Sequence, residues 1–325
     1  MEIQMQKVHG SENNFFLIDE TQLPRLLTKN EIDQLRSRLC DRERGLLTGA
    51  DGLLLVEPVN KGTSKAKMRV INSDGSEASM CGNGLRTVAR YLSERDHEPY
   101  FTVETMFADL KVRKAADLAP KIATYQVEIS PVSFDAASIP MTTERETIID
   151  EIIPELSATI HFTIVAVPNP HLIAFVNHET LNSQEFERIA TYVNRKNSLF
   201  PDGINVSFVE VLGTNELFVR TFERGVGFTS ACGTAMCASS LMYTLLKDGN
   251  FYESITVKNT GGMVKTVVHE DNEGSYWMEL IGNATVTHKI QGSLSSFLEG
   301  AFEAVTVETT GEAADYRQFV AAIHV

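Results

Sequence analysis

Two stretches of the chain, SMCGNGLRTVARYL (Ser79–Leu92) and SACGTAMCASSLMYTL (Ser230–Leu245), follow one pattern. Each sets a cysteine and a glycine at the start of an apolar helical run, and the two cysteines, Cys81 and Cys232, stand 151 positions apart. Aligning them extends the likeness in both directions. Nine residues upstream lie Asn72 and Glu223, followed by Ser73 and Arg224. Downstream come Gly82 and Gly233, then Asn83 and Thr234. A chain that repeats one junction at a common offset is constrained to fold as two similar halves.

The rest of the chain can be divided accordingly. Residues 1–135 carry the strand-like runs FFLID, GLLLVE, KMRVIN, FTVETM, DLKVRK and TYQVEIS, with helical patterns near 30–40 and 84–94. Residues 136–275 repeat the mixture with TIVAV, HLIAFV, VSFVEV, LFVRTFE and ITVKN, and with helical patterns near 183–195 and 235–248. Short strands punctuated by Gly, Asn and Asp predict mostly antiparallel sheet, hence an α+β fold of two pseudo-symmetric domains. In the first repeat Leu85, Val88, Ala89 and Leu92 mark one apolar helix face. In the second, Ala235 to Leu246 is apolar or small nearly all round, which predicts a helix buried at the centre of its half. NTGGMVKTVVHE and GSYWMELIGNATVTH read as a late hairpin, and residues 276–292 are expected to rejoin the first half. Residues 293–325 form a further tail with no assigned role.

Composition narrows the partners. The 325 residues are 43% hydrophobic and 22% charged, enough to build an ordinary core. A formal net charge of −14 argues against nucleic acid and against an anionic membrane surface. The amino-terminal residues lack the basic start and apolar run of a signal peptide, and the most apolar stretch is broken by Pro168, Asn169, Pro170 and His171. Four cysteines without C-x-x-C spacing predict free thiols in a reduced, cytoplasmic protein with no metal site. Cys40 and Cys237 read as packing residues.

Cys81 and Cys232 read differently. The first-turn amides of a helix and its dipole favour negative charge, so a thiol there is expected to have a lowered pKa. The same amides can hold a carboxylate, and the adjacent glycine allows close approach. Two such thiols, one at each face of an α-carbon, would suffice for a racemase without cofactor. One thiolate would remove the α-proton and the other thiol would return a proton from the opposite side. Facing thiols would also suit a redox sensor, a role that leaves the polar residues around them without work.

The motifs KVHGSENNFFLID, NSDGSEASMCGNGLRTVARY, PNPHLIAF, DGINVSF and RTFERGVGFTSACGTAMCAS closely resemble the diaminopimelate epimerase family, from Lys7 to about Ile290. The resemblance implies two similar domains, each a curved sheet around a central helix, with the active site in the cleft. It implies cofactor-independent interconversion of LL- and meso-diaminopimelate in lysine and peptidoglycan precursor synthesis, a small-molecule substrate, and a homodimer. By motif match, Cys81 and Cys232 would be the acid–base pair. Backbone amides of Gly82, Asn83, Gly233 and Thr234 would hold the reacting carboxylate. Asn13, Asn72, Asn169, Asn205, Glu223 and Arg224 would bind the polar ends of the substrate.

Other readings of these residues stand beside that one. Adjacent Glu223 and Arg224 would point to opposite faces of a continuous strand, and a solvated pair is the ordinary reading of such charges. Asn72 in NSDG reads equally as a turn residue, and Asn169 between prolines as loop rigidity. His171 reads either as a partner of a thiol or as a satisfied structural histidine. Gly52, Phe228 and Thr234 depart from the family pattern. The change at Phe228 bears on substrate choice, since a relative acting on histidine or another amino acid would share the cysteine pair.

Overall fold

The computed structural model describes residues 1–60, 62–139 and 141–323. The chain forms two units, Met1–Val127 with Ile281–Val325, and Glu128–Leu280. Both are mixed α+β.

The first unit begins with β1 (Glu2–Gly10), β2 (Asn13–Asp19), α1 (Lys29–Leu39), β3 (Gly52–Glu57), β4 (Ala66–Asn72) and β5 (Glu77–Ala78). It continues with α2 (Gly82–Asp96), β6 (Tyr100–Glu104), β7 (Asp109–Lys114) and β8 (Thr124–Ile129), which runs into the junction. Strand β1 pairs antiparallel with β2, β2 runs parallel to β3, and β3 is antiparallel to β4. Strand β4 then lies parallel to β6 and carries the short β5 on its end, and β6, β7 and β8 form a meander. The capping box of Thr28 and Glu31 starts α1, a device worth about 1 kcal/mol. Helix α2 packs against β1, β2, β3, β4 and β7. The four residues predicted to form its apolar face, Leu85, Val88, Ala89 and Leu92, are fully buried there.

The second unit holds β9 (Glu151–Ile152), β10 (His161–Val167), β11 (Asn169–Phe175), α3 (His178–Leu181), α4 (Gln184–Asn194) and β12 (Asn205–Gly213). After these come β13 (Glu216–Glu223), β14 (Gly227–Thr229), α5 (Gly233–Leu246), β15 (Ser254–Asn259), β16 (Gly262–Glu270) and β17 (Tyr276–Asn283), whose last residues, from Ile281, belong to the first unit. Its pairings follow the same scheme. Strand β10 is antiparallel to β11, β11 parallel to β12, and β12 antiparallel to β13. Strand β13 carries the short β14 and runs parallel to β15, which turns back into β16. Register matches as well: Phe15, two residues after Asn13, lies opposite Gly52, and His171, two residues after Asn169, lies opposite Asn205.

Helix α5 is buried from Gly233 to Thr244 and packs against β10, β11, β12, β13, β15 and β16. Its serines do not break it, because Ser239 and Ser240 return their hydroxyl protons to the carbonyls of Ala235 and Met236 at 2.7 and 3.0 Å. The chain then re-enters the first unit. Strand β18 (Thr285–Ser293) pairs with β1 along its whole length. Residues 293–325, left without a role by the sequence, form α6 (Leu294–Glu299), β19 (Thr306–Thr309) and α7 (Glu312–Ile323).

Candidate active site

In the first unit Cys81 is the N-cap of α2, with extended backbone at φ −139° and ψ 109°. Its sulfur accepts the Gly84 amide at 3.4 Å. The amides of Gly82 and Asn83 lie in the same turn, where no helical carbonyl precedes them. On the other side Cys81 Sγ donates to Asn13 Oδ1 at 3.5 Å, and Asn83 Nδ2 reaches the same oxygen at 3.4 Å. The orientation of the Asn13 amide is set from behind. Its Nδ2 donates at 2.9 Å to Asp51 Oδ2, which also takes the Asn14 amide at 2.7 Å. An ionised carboxylate only accepts, so Asp51 fixes the nitrogen on its own side and leaves the oxygen for Cys81. Arg42 in turn bonds Asp51. Gly10 permits the approach of β1 to this turn, since a Cβ there would stand 2.8 Å from Asn83 O. Asn72 pairs with Gly52 at the end of β4, and its Nδ2 donates to Ser76 Oγ at 2.9 Å.

In the second unit Cys232 is the N-cap of α5 and only 7% exposed. Its sulfur lies 3.5 Å from Thr234 Oγ1, which in turn lies 3.1 Å from His171 Nε2. His171 is fully buried, and burial together with Arg224 pushes its pKa down to about 3, so the ring is neutral. The sequence predicts a lowered thiol pKa at this helix start. At Cys232 the outcome is the reverse: burial first, and then the Glu223 carboxylate, push the thiol well above its ordinary range, although the Thr234 hydroxyl pulls the other way. The helix terminus is outweighed because sulfur and carboxylate share a water-poor corner.

Strand β13 ends at Glu223, and a turn closed by Val226 N to Glu223 O at 3.1 Å follows, with Gly225 at φ 79° and Gly227 at φ 105°. The alternation that would throw Glu223 and Arg224 to opposite faces therefore stops between them. Glu223 Oε1 accepts the Thr229 hydroxyl at 2.6 Å. The Arg224 amide donates to Asn205 Oδ1 at 2.8 Å, which anchors the turn to the first residue of β12. Asn169 opens β11, two residues before His171.

Of the three departures from the family pattern, Thr234 stands at the Cys232 sulfur, while Phe228 and Gly52 have other surroundings. Phe228 packs edge-on against Phe186 and Phe222, each at 5.2 Å, beneath the Arg220 guanidinium. Its neighbour Thr229 turns the other way, toward Glu223. At Gly52 a Cβ would stand 2.3 Å from the carbonyl oxygen of Ile71, so this backbone admits no side chain. Asp51, Arg42 and Thr229 were not singled out by the sequence. The only available signal was the place of Asp51 directly before Gly52.

Solved structures share this fold at low identity. A PhzF-family phenazine biosynthesis protein from Bacillus anthracis aligns with a TM-score of 0.63 and 15% identity, over 90% of this chain and 99% of that one. A hydroxyproline epimerase from Agrobacterium vitis aligns with a TM-score of 0.63 and 14% identity, over 92% and 94%. Sequence relatives are nearer. A diaminopimelate epimerase from Enterococcus faecalis is 73% identical over 320 residues, 98% of each chain. One from Ligilactobacillus salivarius is 56% identical over 325 residues, 99% of this chain and 100% of that one. The diaminopimelate epimerase family model matches residues 5–125 and 163–286. A chain with this fold and these relatives is an isomerase. It belongs to the diaminopimelate epimerase family.

Proposed function

We propose that the chain interconverts LL- and meso-diaminopimelate without a cofactor, by a two-base mechanism in which Cys81 and Cys232 are the acid–base pair. The observation that carries this reading, within the family, is that each unit presents a cysteine as the N-cap of its central buried helix, followed by glycine. In the forward step one thiolate takes the α-proton and becomes a thiol. The electron pair left on carbon delocalises into the substrate carboxylate. The other thiol then delivers its proton to the opposite face and becomes a thiolate, so the enzyme finishes with the roles exchanged. The first-turn amides of Gly82, Asn83, Gly233 and Thr234 would stabilise the developing charge on that carboxylate.

Cys232 has the features of a resting proton donor. Its thiol is held protonated by burial and by the neighbouring Glu223 carboxylate, which disfavours a second negative charge beside it. Arg224 and the asparagines Asn13, Asn72, Asn169 and Asn205 would hold the polar ends of the diaminodicarboxylate. The wider reading is a cytoplasmic enzyme, acting as a homodimer on a precursor shared by lysine and peptidoglycan synthesis. The test is exchange of the α-proton in deuterated water, with LL-diaminopimelate, reductant and no added cofactor. Folded, reduced protein that incorporates no deuterium and forms no meso product would remove the proposal.

A further inference from the structure

The segment after Ser293 lies beyond the family match, which ends at residue 286, yet it is built into the first unit. Strand β19 pairs antiparallel with β18, and α6 packs on α1 with Phe297 fully buried. Helix α7 then makes two contacts directed at the Cys81 region. Glu312 takes both terminal nitrogens of Arg90, each at 2.7 Å, and also the Val286 amide at 2.9 Å. Arg90 stands on α2, the helix that Cys81 caps. One turn further on, Tyr316 is the single buried residue of α7 among those described, 1% exposed. Its ring meets His9 edge-on at 4.8 Å, and its hydroxyl hydrogen-bonds Ser11.

What Tyr316 covers is strained. Ser11 and Glu12 are consecutive non-glycine residues in the left-handed region, at φ 51° and 66°. Such backbone persists only where its surroundings over-determine it. Here the Ser11 amide donates to Asn283 Oδ1 at 2.8 Å, the Glu12 amide to His9 Nδ1 at 3.3 Å, and Arg86 reaches Ser11 Oγ at 3.3 Å. The next residue is Asn13, whose Oδ1 meets Cys81 and Asn83. The His9 contact needs an imidazole with a bare Nδ1. Burial, Arg86 and Lys7 push the pKa of His9 down to about 4, which keeps that lone pair available at neutral pH.

We propose that α7, through Tyr316 against His9 and Ser11, is a positioning element that locks the Ser11–Glu12 turn and so sets the Asn13 amide against Cys81. Tyr316 is thus a positioning residue. Its effect on turnover rests on the function proposed above; its effect on the turn does not. The experiment compares full-length wild type with Tyr316→Ala, Tyr316→Phe, and Arg317→Ala as an exposed control on the same helix. It measures kcat and KM for LL-diaminopimelate well below each melting temperature, and hydrogen exchange across residues 9–14 without substrate.

The alanine variant is expected to lose at least tenfold in kcat, with KM within threefold of wild type and faster exchange confined to that segment. The phenylalanine variant keeps the ring and is expected to hold kcat within threefold, and the control to match wild type. Unchanged kcat and unchanged exchange in folded Tyr316→Ala would overturn the proposal, as would a loss of kcat with no change in exchange. Should Tyr316→Ala fail to fold, Tyr316→Leu, which keeps apolar bulk without the aromatic edge or hydroxyl, decides by the same criteria. Wild type with no turnover would remove the proposed activity and leave hydrogen exchange to judge α7.

Discussion

The Thr234 hydroxyl stands between two groups that differ in kind: His171 Nε2 at 3.1 Å and Cys232 Sγ at 3.5 Å. Together with the Ala235 amide, it is a contact on the sulfur's own helix turn that favours the thiolate, against the opposing effects of burial and Glu223. Thr234→Val keeps the shape and removes the hydroxyl. The Cys232 thiol should then rise further in pKa, and turnover should fall at least tenfold in the direction that uses Cys232 as the base. The buried His171 nitrogen would lose its partner, at a cost of about 1–3 kcal/mol of stability. Thr234→Ser should restore both. Initial rates in each direction, with urea denaturation, check these outcomes.

Glu223 tests the electrostatics from the other side. After burial, its carboxylate is the largest influence raising the Cys232 thiol. Glu223→Gln removes the charge and keeps a partner for the Thr229 hydroxyl, which now stands at 2.6 Å. The pH profile of Cys232 alkylation should move to lower pH, while epimerisation slows because a polar contact to the substrate is altered. An alkylation profile that stays in place or moves upward would show that Glu223 does not act on this sulfur.

The halves and their central helices were readable because the signals were local. A cysteine, a glycine and an apolar run are adjacent in sequence, and the buried Ala235–Thr244 helix announces itself by having no polar face. Strand β1 was missed. Its alternation through Ile3 and Met5 breaks at Lys7, where a register shift against β18 buries four residues in succession, a lysine among them. The Asp51–Asn13–Cys81 chain was missed for another reason. Its members lie far apart in sequence, and only the parallel pairing of β2 with β3 brings them together. The sign of the Cys232 shift was unreadable as well, since it depends on how deeply the sulfur sits and not on its position in the helix.

That chain gives a further test. Asp51→Asn replaces an acceptor-only carboxylate with an amide that no longer dictates which end of Asn13 faces Cys81. The protein should remain folded, because Asp51 is partly exposed at 37% of its side chain and its Arg42 partner at 56%. Turnover should fall about tenfold with little change in KM, a loss of roughly 1.4 kcal/mol in transition-state stabilisation. Steady-state kinetics with LL-diaminopimelate decide it; an unchanged kcat would make Asp51 a surface residue without influence on the sulfur.

Acid stability follows from His9. Its pKa falls from 6.5 in the unfolded chain to about 4 in the fold, with burial the leading cause. The unfolded state therefore binds the proton first as pH drops. Stability is fully present above pH 6.5, declines through the window from 6.5 to 4, and has lost about 3 kcal/mol from this residue at the lower end. His171, lowered to about 3, extends the decline further. His9→Gln removes one titrating group and can still offer an acceptor to the Glu12 amide. Urea denaturation midpoints measured from pH 7.5 to 4 should therefore fall less steeply for this variant than for wild type. Equal slopes would mean that the His9 ring takes up a proton in the folded protein as readily as in the unfolded chain, and that its buried Nδ1 does not hold the Glu12 amide.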